Sequence, residues 1–220
     1  MPAFFPLIDT LALEDLTTYL SRAARVEDGS VRLIAGSGVL AAYTAILYPR
    51  GLLDGTPTVL GLRTFALTEP VEFDAVVPSR SLLDRLARAS SAGTTAVAVP
   101  HEVGSVTWAG ISPPRGGWVT QGSTDAATLE SVAHAGIAEI AAAVPTGTGE
   151  QLVQRARAEV WSRPIDGLDY VPAGAAFAAM SLGFLAADDP VNVLETGPWT
   201  RLSTRRGHVL VRRKAWSLRG

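Results

Sequence analysis

Residues 171–187 run without a charge, as Val-Pro-Ala-Gly-Ala-Ala-Phe-Ala-Ala-Met-Ser-Leu-Gly-Phe-Leu-Ala-Ala. A helix with no polar side has nothing to offer water, so the rest of the chain must enclose it. The other way to bury such a segment is a bilayer. At 17 residues it sits at the short limit for a span. It is built of Ala and Gly rather than Leu, and it is flanked by Asp166, Asp169, Asp188 and Asp189 instead of the Lys or Arg that anchor a span. We therefore expect a buried helix over 172–187 and no membrane contact. The N-terminal Met-Pro-Ala-Phe-Phe-Pro-Leu-Ile-Asp has no basic segment ahead of its apolar residues, which points to a cytoplasmic protein.

The 220 residues are 47% hydrophobic, enough for a core that needs no staple. There are no cysteines, which excludes disulfides, thiolate zinc sites, iron–sulfur clusters and a cysteine nucleophile. The only lysine is Lys214, so there is no Gly-Lys pair for a P-loop and no Ser-x-x-Lys. His101, His134 and His208 lie too far apart in sequence to chelate a metal from one helix face. No metal and no cofactor is expected.

The first half reads as β-rich. A helix capped by Thr10 carries the stripe Leu13, Leu16, Leu20, Ala24, with Glu14 and Asp15 near its positive end. Apolar runs at 31–35, 39–48, 58–67 and 71–77, each bounded by turn residues, read as an antiparallel meander. For 39–48 a helix is the competing reading, because Gly36-Ser37-Gly38-Val39-Leu40-Ala41 matches a dinucleotide fingerprint. A helix from Ser79 and short strands at 94–99 and 105–108 complete this half.

The second half has helical texture. Ser123 or Thr124 can cap a helix running to Val144, and a second helix spans 149–163 with an Arg155–Glu159 pair facing out. After the apolar helix, 191–195 leads into a hairpin in which 199–203 and 208–213 pair around 204–207. The fold class is α+β: an N-terminal mainly antiparallel β-sheet with helices, then C-terminal helices followed by a β-hairpin. The expected division is 1–118 and 119–220, unless the chain is one continuous domain. Residues 149–213, two helices and a hairpin, resemble the order of winged-helix DNA-binding proteins. They depart from it at the second helix, which is too apolar to enter a major groove.

Charge supplies the candidate site. From Thr200 to Gly220 the chain carries Arg201, Arg205, Arg206, Arg212, Arg213, Lys214 and Arg219 and no acid, a local charge of +7 against −9 for the remainder. Arg201, Ser203, Thr204, Arg205, Arg206 and His208 surround the hairpin turn, with hydroxyls and guanidinium groups suited to phosphate or carboxylate. The expected function is a binding protein that meets an anionic partner, either nucleic acid or an acidic protein surface, through this hairpin. Self-association into a homo-oligomer is also in view. The alternative is an enzyme or small-molecule-binding protein with a cleft near His101, Trp108 and Arg115, beside a Pro-Gly loop bracketed by Trp108 and Trp118. The acidic pairs Asp166/Asp169 and Asp188/Asp189 read as turn residues rather than cation ligands.

Overall fold

The computed structural model describes residues 3–51, 54–104, 106–110, 112–144 and 149–212. They divide into two compact units, one of residues 1–45 and 61–112 and the other of 46–60 and 113–220. Lys214, Arg213 and Arg219 of the basic tail lie outside the described residues. Among the described residues no helix is long and apolar enough to cross a membrane. The class is α+β, with five α-helices and antiparallel sheets among the described residues.

In the first unit, α1 (Thr10–Val26) buries Leu13, Leu16, Tyr19, Leu20 and Ala23. Its cap is Asp9, not Thr10: the Asp9 carboxylate accepts the Ala12 amide at 2.7 Å. Asp is at least as good a cap as Thr, and the residue before an apolar stripe can shift by one without changing the pattern. Glu14 and Asp15 consequently lie beyond the first turn, and Asp15 pairs with Arg63. Burial pushes the Tyr19 phenol above its ordinary pKa, and its hydroxyl lies 2.8 Å from Thr44 Oγ1.

Four strands follow, lying in this unit apart from residues 46–47 and 58–60: β2 (Ser30–Gly36), β3 (Val39–Leu47), β4 (Thr58–Ala66) and β5 (Phe73–Pro78). Residues 39–47 are a strand, because Ser37 and Gly38 both have positive φ (53° and 77°) and close a tight hairpin. The Glu72 carboxylate accepts the Ser37 amide at 3.2 Å and occupies the space beside the turn. No helix starts there to receive a pyrophosphate. The strands are not a meander. Their order is β5-β2-β3-β4, with β5 returning beside β2 from Ser30↔Pro78 to Ala35↔Phe73. This is the Greek-key order, in which the fourth strand lies beside the first. A separate pair, β1 (Phe4–Pro6) with β6 (Ala96–Ala98), packs with α2 (Ser79–Ser91). Of the strand expected at 105–108, Ser105 lies outside the described residues and Thr107 and Trp108 form a 3₁₀ turn instead, Thr107–Gly110, held by Arg32, which donates to the Ala109 carbonyl at 2.6 Å and pairs with Asp74.

In the second unit, β7 (Val119–Thr124) precedes α3 (Ala126–Ala143). Asp125 is the cap of α3, accepting the Thr128 amide at 2.6 Å, so Ser123 and Thr124 belong to a strand that the sequence does not announce. Helix α4 (Glu150–Ser162) follows, with Glu159 paired to Arg163 rather than to Arg155. Arg163 also grips Glu139 of α3 at 2.7 Å. A small hairpin, β8 (Pro164–Ile165) with β9 (Leu168–Pro172), turns at Gly167 (φ 77°), which places Asp166 at a turn.

The apolar segment forms α5 (Ala173–Ser181), shorter than its charge-free length. Leu182 caps it and Gly183 takes the left-handed conformation (φ 71°), which ends helices regardless of the apolar residues that follow. Ala173, Gly174, Ala175, Ala176, Ala178 and Ala179 are buried, so neighbours approach its backbone closely. The strands β10 (Val191–Thr196), β11 (Trp199–Thr204) and β12 (Gly207–Arg212) then join β7 in the order β12-β11-β10-β7. The C-terminal hairpin is thus built into a sheet rather than standing as a free wing.

Candidate functional site

The site is built from strand register. In β11 side chains alternate, so Arg201 and Ser203 share a face. Directly opposite residues share it too: His208 faces Ser203 and Leu210 faces Arg201 on β12, while Asn192 faces Ser203 and Leu194 faces Arg201 on β10. The other face, with Leu202 and Val209, is buried. Gly207 is needed there because a Cβ would fall 2.5 Å from the Phe184 ring.

Arg201 is the unusual member. Its guanidinium carbon sits 4.5 Å from the centroid of the Trp118 ring, and its Nε is buried without a hydrogen-bond partner. The indole is itself anchored, its Nε1–H donating to the Pro114 carbonyl at 3.1 Å. Burial lowers the Arg201 pKa, the mark of a charge held partly out of water. No carboxylate pairs with it among the described residues. Nδ1 of His208 and Oγ of Ser203 lie 2.9 Å apart. Burial, and secondarily the Arg201 charge, push His208 down to about 4, so its ring is neutral at physiological pH. The face therefore offers one poorly hydrated cation on an aromatic platform, beside a hydroxyl and a neutral imidazole. That combination suits a single carboxylate or phosphate group.

The turn residues behave differently. Thr204 Oγ1 accepts the Arg206 amide at 3.1 Å and bonds the Gly207 carbonyl at 3.2 Å, so it serves the turn itself. The Arg205 amide donates to Asp189 at 2.8 Å, and its Nε lies 3.4 Å from the same carboxylate. Arg206 donates to the Leu185 carbonyl at 3.4 Å. Asp189 thereby serves Arg205, through both its backbone amide and its guanidinium. Among the described residues no three of His, Asp and Glu group to hold a metal ion. Dialysis against a strong chelator is expected to leave the melting temperature unchanged, and a loss reversed by one particular ion would refute this.

His101 is exposed and Trp108 is buried in the 3₁₀ turn, both in the first unit. Arg115 is exposed and belongs to the second. Trp118 is the member of the basic site that sequence reasoning missed. The sequence sets it at the edge of the Pro-Gly loop of the alternative cleft, and β7, which carries no apolar alternation, gives no sign that it meets Arg201.

The His208 environment gives a pH-dependent stability. A histidine neutral when folded and protonatable when unfolded stabilises fully above its unfolded pKa, near 6.5. That contribution is lost as pH falls from about 6.5 toward 4. After discounting for residual solvent, it amounts to about 2 kcal/mol. Urea midpoints at pH 7.5 and 4.5 should therefore converge more in His208→Gln than in the parent. An equal pH response in both would show that His208 is not the group responsible.

Two family models match the chain. Residues 1–110 match Domain of unknown function (DUF8010) and residues 113–216 match Domain of unknown function (DUF8185). No curated protein matches. Among solved structures, one titled "Caulobacter crescentus pol III beta" is 10% identical with a TM-score of 0.50, covering 91% of this chain and 63% of that one. The DNA polymerase sliding clamp from Caulobacter crescentus is 12% identical with a TM-score of 0.49, covering 94% of this chain and 65% of that one. The sliding clamp from Pseudomonas aeruginosa is 12% identical with a TM-score of 0.48, covering 99% and 66%. The chain therefore spans less than two thirds of the length of these structures, and the likeness is one of fold.

Proposed function

The chain belongs to the family described as Domain of unknown function (DUF8010), and we propose that it is a cytoplasmic, non-enzymatic binding protein that receives an anionic partner on the sheet of its second unit. The observation that supports this is Arg201. A partly desolvated charge costs stability unless a counter-charge repays it. This guanidinium has an aromatic platform, a buried Nε and no carboxylate of the described chain, whereas the more exposed Arg205 has Asp189. The missing counter-charge is then supplied by the partner. Ser203 adds a hydroxyl beside it, and Arg206 and Arg212 add peripheral positive charge.

The test is fluorescence anisotropy with two labelled probes, an octaglutamate peptide and a twelve-residue oligodeoxythymidylate, at about 50 mM salt, where electrostatic attraction is strong. Arg201→Gln should weaken binding of the probe that binds by about tenfold, the effect of one charged hydrogen-bonding group. Arg205→Ala with Arg206→Ala should lower the salt dependence by at most about two phosphate contacts for the oligonucleotide. It should cost less than about 1 kcal/mol of stability, because the Arg205–Asp189 pair is solvated on the arginine side. Failure of both probes to bind would end the proposal.

A further inference from the structure

Strand β7 is the outer member of its sheet in the second unit, and its far edge has no strand against it among the described residues. Residues Val119–Thr124 are exposed, Thr124 less so, and Val119 is 61% exposed. Proteins normally blunt such an edge with Lys, Pro or a covering element. Here the sequence is Val-Thr-Gln-Gly-Ser-Thr, with neither charge nor proline. The one interruption is a bulge. Leu194 pairs with Thr120 and Val193 with Gly122, so Gln121 is the extra residue. A bulge shortens the regular stretch and so disfavours long sheet-to-sheet stacking, but it leaves room for a short segment.

Charge complementarity names the occupant. Arg201, Leu194 and Thr120 lie in one row across β11, β10 and β7. Trp118 immediately precedes β7, and its indole meets the Arg201 guanidinium, so the cation and its platform converge over β10. A strand laid on the open edge of β7 would be the next element in that row. A carboxylate on its matching face would approach the guanidinium, and Arg115 is exposed close by in sequence. Resting on the anion-receiving reading above, we infer that the partner is an extended acidic peptide that adds to the edge of β7 as a further strand and directs a carboxylate toward Arg201. Backbone hydrogen bonds to β7 would supply much of the affinity, and the carboxylate the selectivity.

Three probes test it: a blocked hexapeptide Thr-Val-Glu-Val-Thr-Val, the same peptide with Gln for Glu, and the Glu peptide N-methylated at every residue. A twelve-residue oligodeoxythymidylate is the non-peptide anion. Amide hydrogen exchange across 119–124 and anisotropy are the readouts. The Glu peptide should slow exchange in β7 and bind about tenfold more tightly than the Gln peptide. N-methylation should abolish binding, because it removes the donors a strand needs. Arg201→Gln should erase the Glu preference while leaving the slowed exchange in place. Binding of the Glu peptide without protection of 119–124, or equal binding after N-methylation, overturns strand addition and leaves the anion site standing. Tighter binding of the oligonucleotide, lost in Arg201→Gln and without protection of β7, makes the partner a nucleic acid and refutes the peptide. If no anionic probe binds, both the anion site and the strand addition fail.

Discussion

Ala176→Asp is expected to abolish the soluble folded protein. Ala176 is fully buried in α5, within a run in which Ala175, Ala178 and Ala179 are buried as well. Helices α3 and α4 and strand β12 all pack on α5, so every direction open to a new side chain is occupied. A carboxylate there is cut off from water. The effective penalty for an unpaired buried ion is several kcal/mol, against a typical total stability of about 5–15 kcal/mol. Ala187→Asp is the control. Ala187 is exposed, six residues past the end of α5, and substitution should change stability by no more than about 0.5 kcal/mol. Soluble yield and urea midpoints decide between them. An unchanged melting temperature in Ala176→Asp would show that α5 is not enclosed.

That contrast also marks what the sequence can carry. The charge-free run demands burial, and α5 is buried. Its end at Ser181 is set by the left-handed Gly183, which hydrophobicity does not register. The hairpin β11–β12 was legible because turn residues separate two alternating runs, and alternation alone places Arg201 and Ser203 on one face. Strand β7 was not legible. An edge strand exposed along its length has no apolar alternation to read, and its partner β10 lies far along the chain. The same distance hid Trp118 from Arg201 and Asp189 from Arg205. The Greek-key order of β2 to β5 likewise depends on which edge of β2 the returning strand takes, and local turn chemistry does not determine that.

Gly136→Ala is expected to destabilise the protein by about 3 kcal/mol, the upper part of the range for overpacking a filled core. The sign is opposite to the general rule. At an open helical site, replacing Gly by Ala stabilises by about 1 kcal/mol through reduced chain entropy. Gly136 lies within α3, and a Cβ there would fall 2.3 Å from Cζ3 and 2.7 Å from Cη2 of Trp161. The indole cannot withdraw. It is 2% exposed and stacked on Phe177, with centroids 4.6 Å apart. Gly174 of α5 closes another side, since a Cβ there would stand 3.2 Å from Trp161 Cβ and 3.0 Å from its carbonyl oxygen. The Trp161 pocket is thus made by two glycines, and steric conflict rather than helix propensity decides the outcome. A double-mutant cycle isolates the contact. Trp161→Leu alone should cost about 3 kcal/mol through the cavity it leaves. Adding Gly136→Ala to Trp161→Leu should cost little or even stabilise, giving a coupling energy of at least about 2 kcal/mol from urea midpoints. Strict additivity of the two substitutions would show that α3 and α4 shift apart to admit the methyl group, and that the close approach at Gly136 does not hold the helices together.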